Sequence, residues 1–464
     1  MKFIGRNAQL KKLNKAVSYT TKHECVQTVL IYGRRRVGKS ELVKHLIKTA
    51  NIPSIYYECK QVSEASNVQG ICNIIAEKFN LPKLGYKTIE EVLEFIFHKA
   101  CKENMILVLD EYSYLRENIK GIDSIIQSLI DKYRESAKIT FIILGSFVEI
   151  MKNLLEHSNP LYGRVDFSIN LKPMDYFEAS QFYPSFSYED KIKLYSVFGG
   201  IPYYNRLIDD SISVEENILE LLVSSEARLE NEVSMYLNAE ISKITNANEV
   251  FGALAKGYSK YKDILEQSHV SSSPTLVDVL EKLIKMDVVE KRTPINDENN
   301  KRKASYHISD PLSAFYYRYI FRYDSQRKIM NSKSFFDKYI KEDFETIFVP
   351  HYFEDICKQY LIRKNMNGEF TPILEKIGKY YYDLPSEHKN GEFDIVTLDE
   401  NGYVFYEVKF RKEKIAAVVV RDEILQVKAT GMKCYKYVFI SKSPVLLDGI
   451  EEHVSVITLE ELWQ

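Results

Sequence analysis

Eight consecutive residues carry the strongest chemical signal in the chain: Gly33-Arg34-Arg35-Arg36-Val37-Gly38-Lys39-Ser40. They fit G-x-x-x-x-G-K-[ST] at every fixed position. Glycine at 33 and 38 lets the backbone turn its N–H groups inward around a polyphosphate, where a bulkier residue would intrude. Lys39 would reach the β- and γ-phosphates, and the Ser40 hydroxyl would ligate Mg²⁺. The expected ATP site is this turn with Glu41 directly after it. The motif has meaning only between a strand and a helix. Val29-Leu30-Ile31-Tyr32 before it is apolar and rich in β-branched residues, and Leu42, Val43, Leu46 and Ile47 after it recur at helical spacing. The helix starting near Lys39 would aim its positive end at the same anion.

A second set of residues suits the same chemistry. The apolar run Met105–Leu109 ends in Asp110-Glu111. Unbroken apolarity fits a parallel strand covered on both faces, and its C-terminal end is where open α/β sheets bind ligands. Asp110 would hold the Mg²⁺ shell, and Glu111 would orient and deprotonate the attacking water. A further buried strand, Ile139–Leu144, ends at Gly145-Ser146, which places Ser146 to touch the γ-phosphate or its water. Arg164, at the end of Pro160-Leu161-Tyr162-Gly163-Arg164, would sense phosphate in its own subunit or across an interface. A surface arginine capping a turn is the equal alternative.

These stretches, with Phe3-Ile4-Gly5-Arg6 and Phe198-Gly199-Gly200-Ile201-Pro202-Tyr203-Tyr204, resemble the archaeal-type ATPase family of the AAA+/STAND group of P-loop NTPases. The resemblance covers roughly the first half of the chain. It implies a five-stranded sheet with an extra strand between the P-loop strand and the Asp-Glu strand. It implies phosphate and Mg²⁺ roles for Lys39 and Ser40, metal and water roles for Asp110 and Glu111, and a sensor role for Ser146. It also implies that the Gly-Gly-Ile-Pro break lies in a helical lid.

The third set lies near the C-terminus. Gly391-Glu392-Phe393-Asp394 opens a strand, Asn401-Gly402 is a strong hairpin turn, and Tyr403–Phe410 returns. Residues two apart on a strand share a face, so Glu407 and Lys409 go together and Asp394 approaches them across the hairpin. This is the PD-(D/E)xK nuclease arrangement, with Phe393 standing where proline is usual. Asp394 and Glu407 would hold Mg²⁺, and Lys409 would steady the attacking water or the phosphate charge. Glu354 on the preceding helix would be an outer ligand, and Gln426 matches a position often polar in these folds. The family resembled through the P-loop carries a restriction-nuclease-like domain at its C-terminus.

Between these sets, residues 250–286 read as three short helices and 288–308 as a two-stranded ribbon, which together make a winged helix. Its recognition helix is not basic, since Asp278 and Glu281 answer Lys282 and Lys285. The stripe Phe315–Phe321 reads as aromatic core. The expected fold is multidomain α/β: a P-loop AAA+-like parallel sheet over 1–174, a helical lid over 175–240, a winged helix over 241–322 and a restriction-nuclease-like α/β domain over 323–464. A length of 464 residues requires such division.

Composition narrows the partners. A net charge of −2 confines any nucleic-acid surface to local patches. Six scattered cysteines with no C-x-x-C fit a reducing cytoplasm and form neither a zinc site nor a disulfide framework. No uncharged run is long enough to span a bilayer. The expected cofactors are ATP and Mg²⁺, and the expected partners are DNA and further copies of the chain. Three readings follow: an ATP-dependent DNA nuclease, an ATP-driven switch that grips nucleic acid or protein without cutting, and a STAND-type scaffold that oligomerises on nucleotide exchange.

Overall fold

The computed structural model describes residues 3–235, 246–384 and 389–464. The chain divides into two compact units, residues 1–173 with 201–203, and residues 174–200 with 204–464.

The first unit is built on a parallel sheet of five strands: β1 (Gln27–Tyr32), β2 (Ser54–Glu58), β3 (Met105–Asp110), β4 (Ile139–Gly145) and β5 (Phe167–Asn170). Their order is β2-β3-β4-β1-β5, so β4 lies between the P-loop strand and the Asp-Glu strand. Every residue of β3 and β4 is buried, which is why both read as unbroken apolar runs. Tyr32 pairs with Gly145, and Leu109 with Ile143. The three central strands therefore end together, and the turns that follow them converge on one edge of the sheet.

Local chemistry sets the helix starts in this unit. Thr88 and Glu91 form a capping box ahead of the helix Ile89–Ala100. The helix Glu64–Phe79 starts where the Ser63 side chain accepts from Ser66 N–H. The helices Ser113–Asn118 and Ile122–Tyr133 are separated at Gly121, whose φ is 80°.

The second unit contains the three short helices Ala247–Ala255, Tyr261–Gln267 and Ser273–Lys285, followed by a ribbon of β6 (Val289–Arg292) and β7 (Ser305–Ile308). Ser272 caps the third helix, with proline in its first turn. Farther on comes a mixed five-stranded sheet of β8 (Lys376–Leu384), β9 (Lys389–Asp399), β10 (Gly402–Lys409), β11 (Cys434–Ser441) and β12 (Val454–Ile457). Its order is β12-β11-β10-β9-β8. β8, β9 and β10 run antiparallel, and the helix Ala417–Ala429 carries the chain from β10 to the parallel β11.

The loop between β6 and β7 is bound to the edge of this sheet. Ile295 N–H donates to Lys379 O at 2.8 Å, and the Asn296 amide exchanges two hydrogen bonds with the Tyr381 backbone, at 2.8 and 3.0 Å. Ile295 is buried in the core of the C-terminal sheet. Arg292 is held by Asp355 at 2.9 Å. The loop thus covers the open N–H and C=O groups of β8, the usual liability of an edge strand.

Met174–Gly200 belongs to the second unit. Tyr176 OH donates to Leu462 O, the indole of the single tryptophan, Trp463, donates to Ser180 Oγ at 3.0 Å, and Lys442 pairs with Glu189 at 2.7 Å. The far end of the expected lid and its boundary at 240 lie outside the described residues. The aromatic stripe is core: Phe315 is fully buried and packs edge-on against Phe344 and Phe348. Among the described residues, no helix is long and apolar enough to cross a membrane.

Two glycines in the second unit should respond to alanine with opposite signs. A Cβ on Gly200 would stand 1.8 Å from Met174 O, so Gly200→Ala should cost about 1–3 kcal/mol of stability. A Cβ on Gly252, inside the helix Ala247–Ala255, meets open space. Gly252→Ala should therefore add about 0.5–1 kcal/mol. Thermal unfolding of both variants checks the pair.

Candidate functional site

The turn Gly33–Gly38 leaves β1 and enters the helix Lys39–Ala50. Its two motif glycines are required for different reasons. At Gly33 a Cβ would sit 2.3 Å from Leu171 O, so another backbone strand passes too close for any side chain. At Gly38 there is room, but φ is 96°, a conformation that favours glycine. Lys39 Nζ closes the turn by donating to the carbonyls of Gly33 at 2.7 Å and Arg34 at 3.1 Å. Arg6, from the N-terminal stretch, donates to Val37 O at 3.1 Å and braces the turn from the other side. Arg35 lies over the Phe147 ring, and Arg36 over that of Tyr203. Glu41 is exposed in the first turn of the helix and lies 3.9 Å from Lys44.

The ends of β3 and β4 bring their polar residues to this turn. Ser40 Oγ donates to Asp110 Oδ2 at 2.7 Å. Lys39 Nζ donates to Ser146 Oγ at 2.9 Å, and Ser146 Oγ donates to Glu111 Oε1 at 2.5 Å. Glu111 also accepts from Ser146 N–H at 3.3 Å. Glu111 holds this position with φ 52°, a left-handed conformation that costs a non-glycine residue on the order of 1–3 kcal/mol. Lysine, serine and glutamate therefore form one hydrogen-bonded series across three strand ends, with the Ser40–Asp110 pair beside it. Two hard oxygens in contact, one hydroxyl and one carboxylate, suit Mg²⁺.

Arg164 is placed elsewhere. It precedes β5, whose start pairs with the start of β1: Asp166 accepts from Thr28 N–H at 2.7 Å. The P-loop follows the opposite end of β1. Arg164 is bound in a fork by Asp131, at 3.2 and 3.1 Å, on the edge of the sheet away from Lys39. The length of β1 separates this end of the sheet from the P-loop.

In the second unit, Asp394, Glu354, Lys358 and Lys379 line a cleft of about 250 Å³ together with Arg292 and Asp355. Lys379 holds Asp394 at 2.8 Å. Glu407 is paired with Lys409, which also reaches Glu423 at 3.8 Å. Burial, then the Asp394 charge, pushes the Glu354 carboxyl up to about 8. Burial, then Glu423, pushes Glu407 up to about 7. Gln426 donates to Tyr382 OH at 2.6 Å, which ties the helix Ala417–Ala429 to β8. Among the described residues, no group of three or more His, Cys, Asp or Glu is arranged to hold a metal ion. Asp394 and Glu407 are each paired with a lysine, Lys379 and Lys409.

Two contributors carry no mark in the sequence. Tyr56 on β2 donates to Asp110, and Lys379 on β8 enters the C-terminal cluster. Each sits on a strand that reads as plain packing, and only the strand order brings it beside the acids.

Residues 3–206 match the family model described as an ATPase domain predominantly from Archaea. Residues 316–420 match a model of archaeal and bacterial proteins of unknown function. An uncharacterized protein of Methanocaldococcus jannaschii is 26% identical over 450 residues, which are 95% of each chain. Among solved structures, the Walker-type ATPase of Pyrococcus abyssi is 19% identical with a TM-score of 0.51, over 68% of this chain and 96% of that one. The ORC2 protein of Aeropyrum pernix, in its ADPNP-ADP complexes, is 12% identical with a TM-score of 0.50, over 70% and 95%. These two likenesses are of fold: a parallel P-loop sheet, here with a separate mixed-sheet domain in the C-terminal part.

The raised carboxyls set a pH dependence. A carboxyl whose folded pKa exceeds its unfolded value stabilises the fold fully below about 4.5, and that contribution is lost as pH rises through 7 and 8. Thermal unfolding of the full chain in chelator should show the melting temperature falling from pH 5 to pH 9. Glu354→Gln should flatten the fall, and an unchanged slope in that variant would remove Glu354 as its source.

Proposed function

We propose that the first unit binds and hydrolyses ATP. The observation that carries this is the Lys39–Ser146–Glu111 series beside the Ser40–Asp110 pair. Lysine and the turn's N–H groups bind the phosphates, and the start of the helix Lys39–Ala50 adds its positive end. Ser40 and Asp110 would hold Mg²⁺, which, when bound, neutralises charge on the β- and γ-phosphates. Glu111 accepts the proton of the attacking water, and Ser146 aims its carboxylate. The likeness of residues 3–206 to an ATPase domain supports the same reading. Arg164, set on the outer edge, serves a nucleotide only across a subunit interface in this account.

For the second unit the geometry favours the reading in which nucleic acid or protein is gripped without metal-dependent cleavage. Lys379 and Lys409 neutralise Asp394 and Glu407, and Lys358 adds a positive charge to the cleft.

Lys39→Ala should abolish nucleotide binding, measured with a fluorescent ATP analogue. Glu111→Gln should bind as wild type and turn over about 10²- to 10⁴-fold more slowly. Equal turnover would take Glu111 out of the role of base. Plasmid DNA should stay intact with Mg²⁺ or Mn²⁺, with or without ATP. Nicking by wild type that disappears in Lys409→Ala would restore the nuclease reading.

A further inference from the structure

Tyr56 belongs to none of the motifs used above, yet it reaches the carboxylate on which the Mg²⁺ reading depends. It stands on β2, the neighbour of β3. Its hydroxyl donates to Asp110 Oδ2, the oxygen that also accepts from Ser40 Oγ at 2.7 Å. Asp110 Oδ1 accepts from Glu111 N–H at 2.9 Å. Donors from three elements therefore fix both oxygens of one buried carboxylate. The Tyr56 ring is itself held, half-buried, with Lys44 Nζ 5.5 Å from its centroid.

We propose that Tyr56 is a positioning residue for the divalent cation of a bound nucleoside triphosphate, acting through Asp110. The inference rests on the reading of Gly33–Ser40 and Asp110 as a nucleotide site. A carboxylate turns easily about its last bond. With two hydroxyls on Oδ2, that oxygen stays directed at Ser40, and the pair is set before the cation arrives. Without the phenol, the orientation must be fixed at the moment of binding. A hydrogen bond to a charged group corresponds to about a tenfold change in an equilibrium, or more.

The test is binding of a fluorescent ATP analogue to the full chain, titrated with Mg²⁺. Tyr56→Phe should need about tenfold more Mg²⁺ for half-maximal binding and should match wild type in EDTA and at saturating Mg²⁺. In Asp110→Asn, adding Tyr56→Phe should produce no further shift, because the effect runs through that carboxylate. An unchanged Mg²⁺ requirement in Tyr56→Phe would overturn the proposal. So would weaker binding in EDTA, which would make Tyr56 part of the scaffold. If wild type binds no nucleotide at any Mg²⁺ concentration, the nucleotide reading itself fails and the role of Tyr56 falls with it.

Discussion

The hydrogen bonds from Lys39 to Ser146 and from Ser146 to Glu111 join the loop that would bind phosphate to the acid that would handle water. They exist only because β1, β3 and β4 end level with one another. Lys39 follows β1, Glu111 follows β3 and Ser146 follows β4, so a one-residue slip in either pairing would turn a side chain to the other face of the sheet. The buried strands hold that register, since each residue of β3 and β4 is packed on both sides. Glu111 adds a local condition, a left-handed backbone that turns its carboxylate toward Ser146. The site is thus a property of the sheet as much as of the motif.

The second unit follows another constraint. Its mixed sheet would expose β8, and the loop between β6 and β7 closes that edge with backbone bonds, a buried isoleucine and the Arg292–Asp355 pair. The tip of the ribbon, which in a DNA-reading winged helix would be a contact surface, is here part of the domain's own structure. The same docking brings Arg292 beside Lys379 and Asp394, so the cleft is shaped by both parts of the unit. Met174–Gly200 is drawn into this unit by Trp463 and Leu462, nearly three hundred residues later in the chain.

Much of the first unit was legible in the sequence. Strand, glycine turn and helix are local, and the apolar runs before Asp110 and Ser146 mark buried parallel strands. The family resemblance implies five strands with an extra one between the P-loop strand and the Asp-Glu strand, and the sheet has both features. What composition and spacing could not show was distance across the fold. Arg164 follows a glycine turn that reads like a phosphate sensor, yet the pairing of β5 with β1 sets it at the far edge. Asp394 and Glu407 share a hairpin, but the lysine that occupies Asp394 comes from β8, beyond the hairpin. Tyr56 is invisible as a site residue until β2 is known to lie beside β3. Helical periodicity over Met174–Gly200 says nothing about which surface that segment packs on, and its bonds to Leu462 and Trp463 become visible only in the fold.

In the proposed reaction Ser146 couples Lys39 to Glu111, so its removal should spare binding and damage chemistry. Single-turnover ATP hydrolysis by Ser146→Ala, beside its affinity for a non-hydrolysable analogue, tests this most directly. Affinity should stay within a few-fold of wild type while hydrolysis slows on the order of a hundredfold, the loss typical of misplaced acid–base groups. Hydrolysis at the wild-type rate, with Ser146→Ala folded and binding nucleotide, would contradict it.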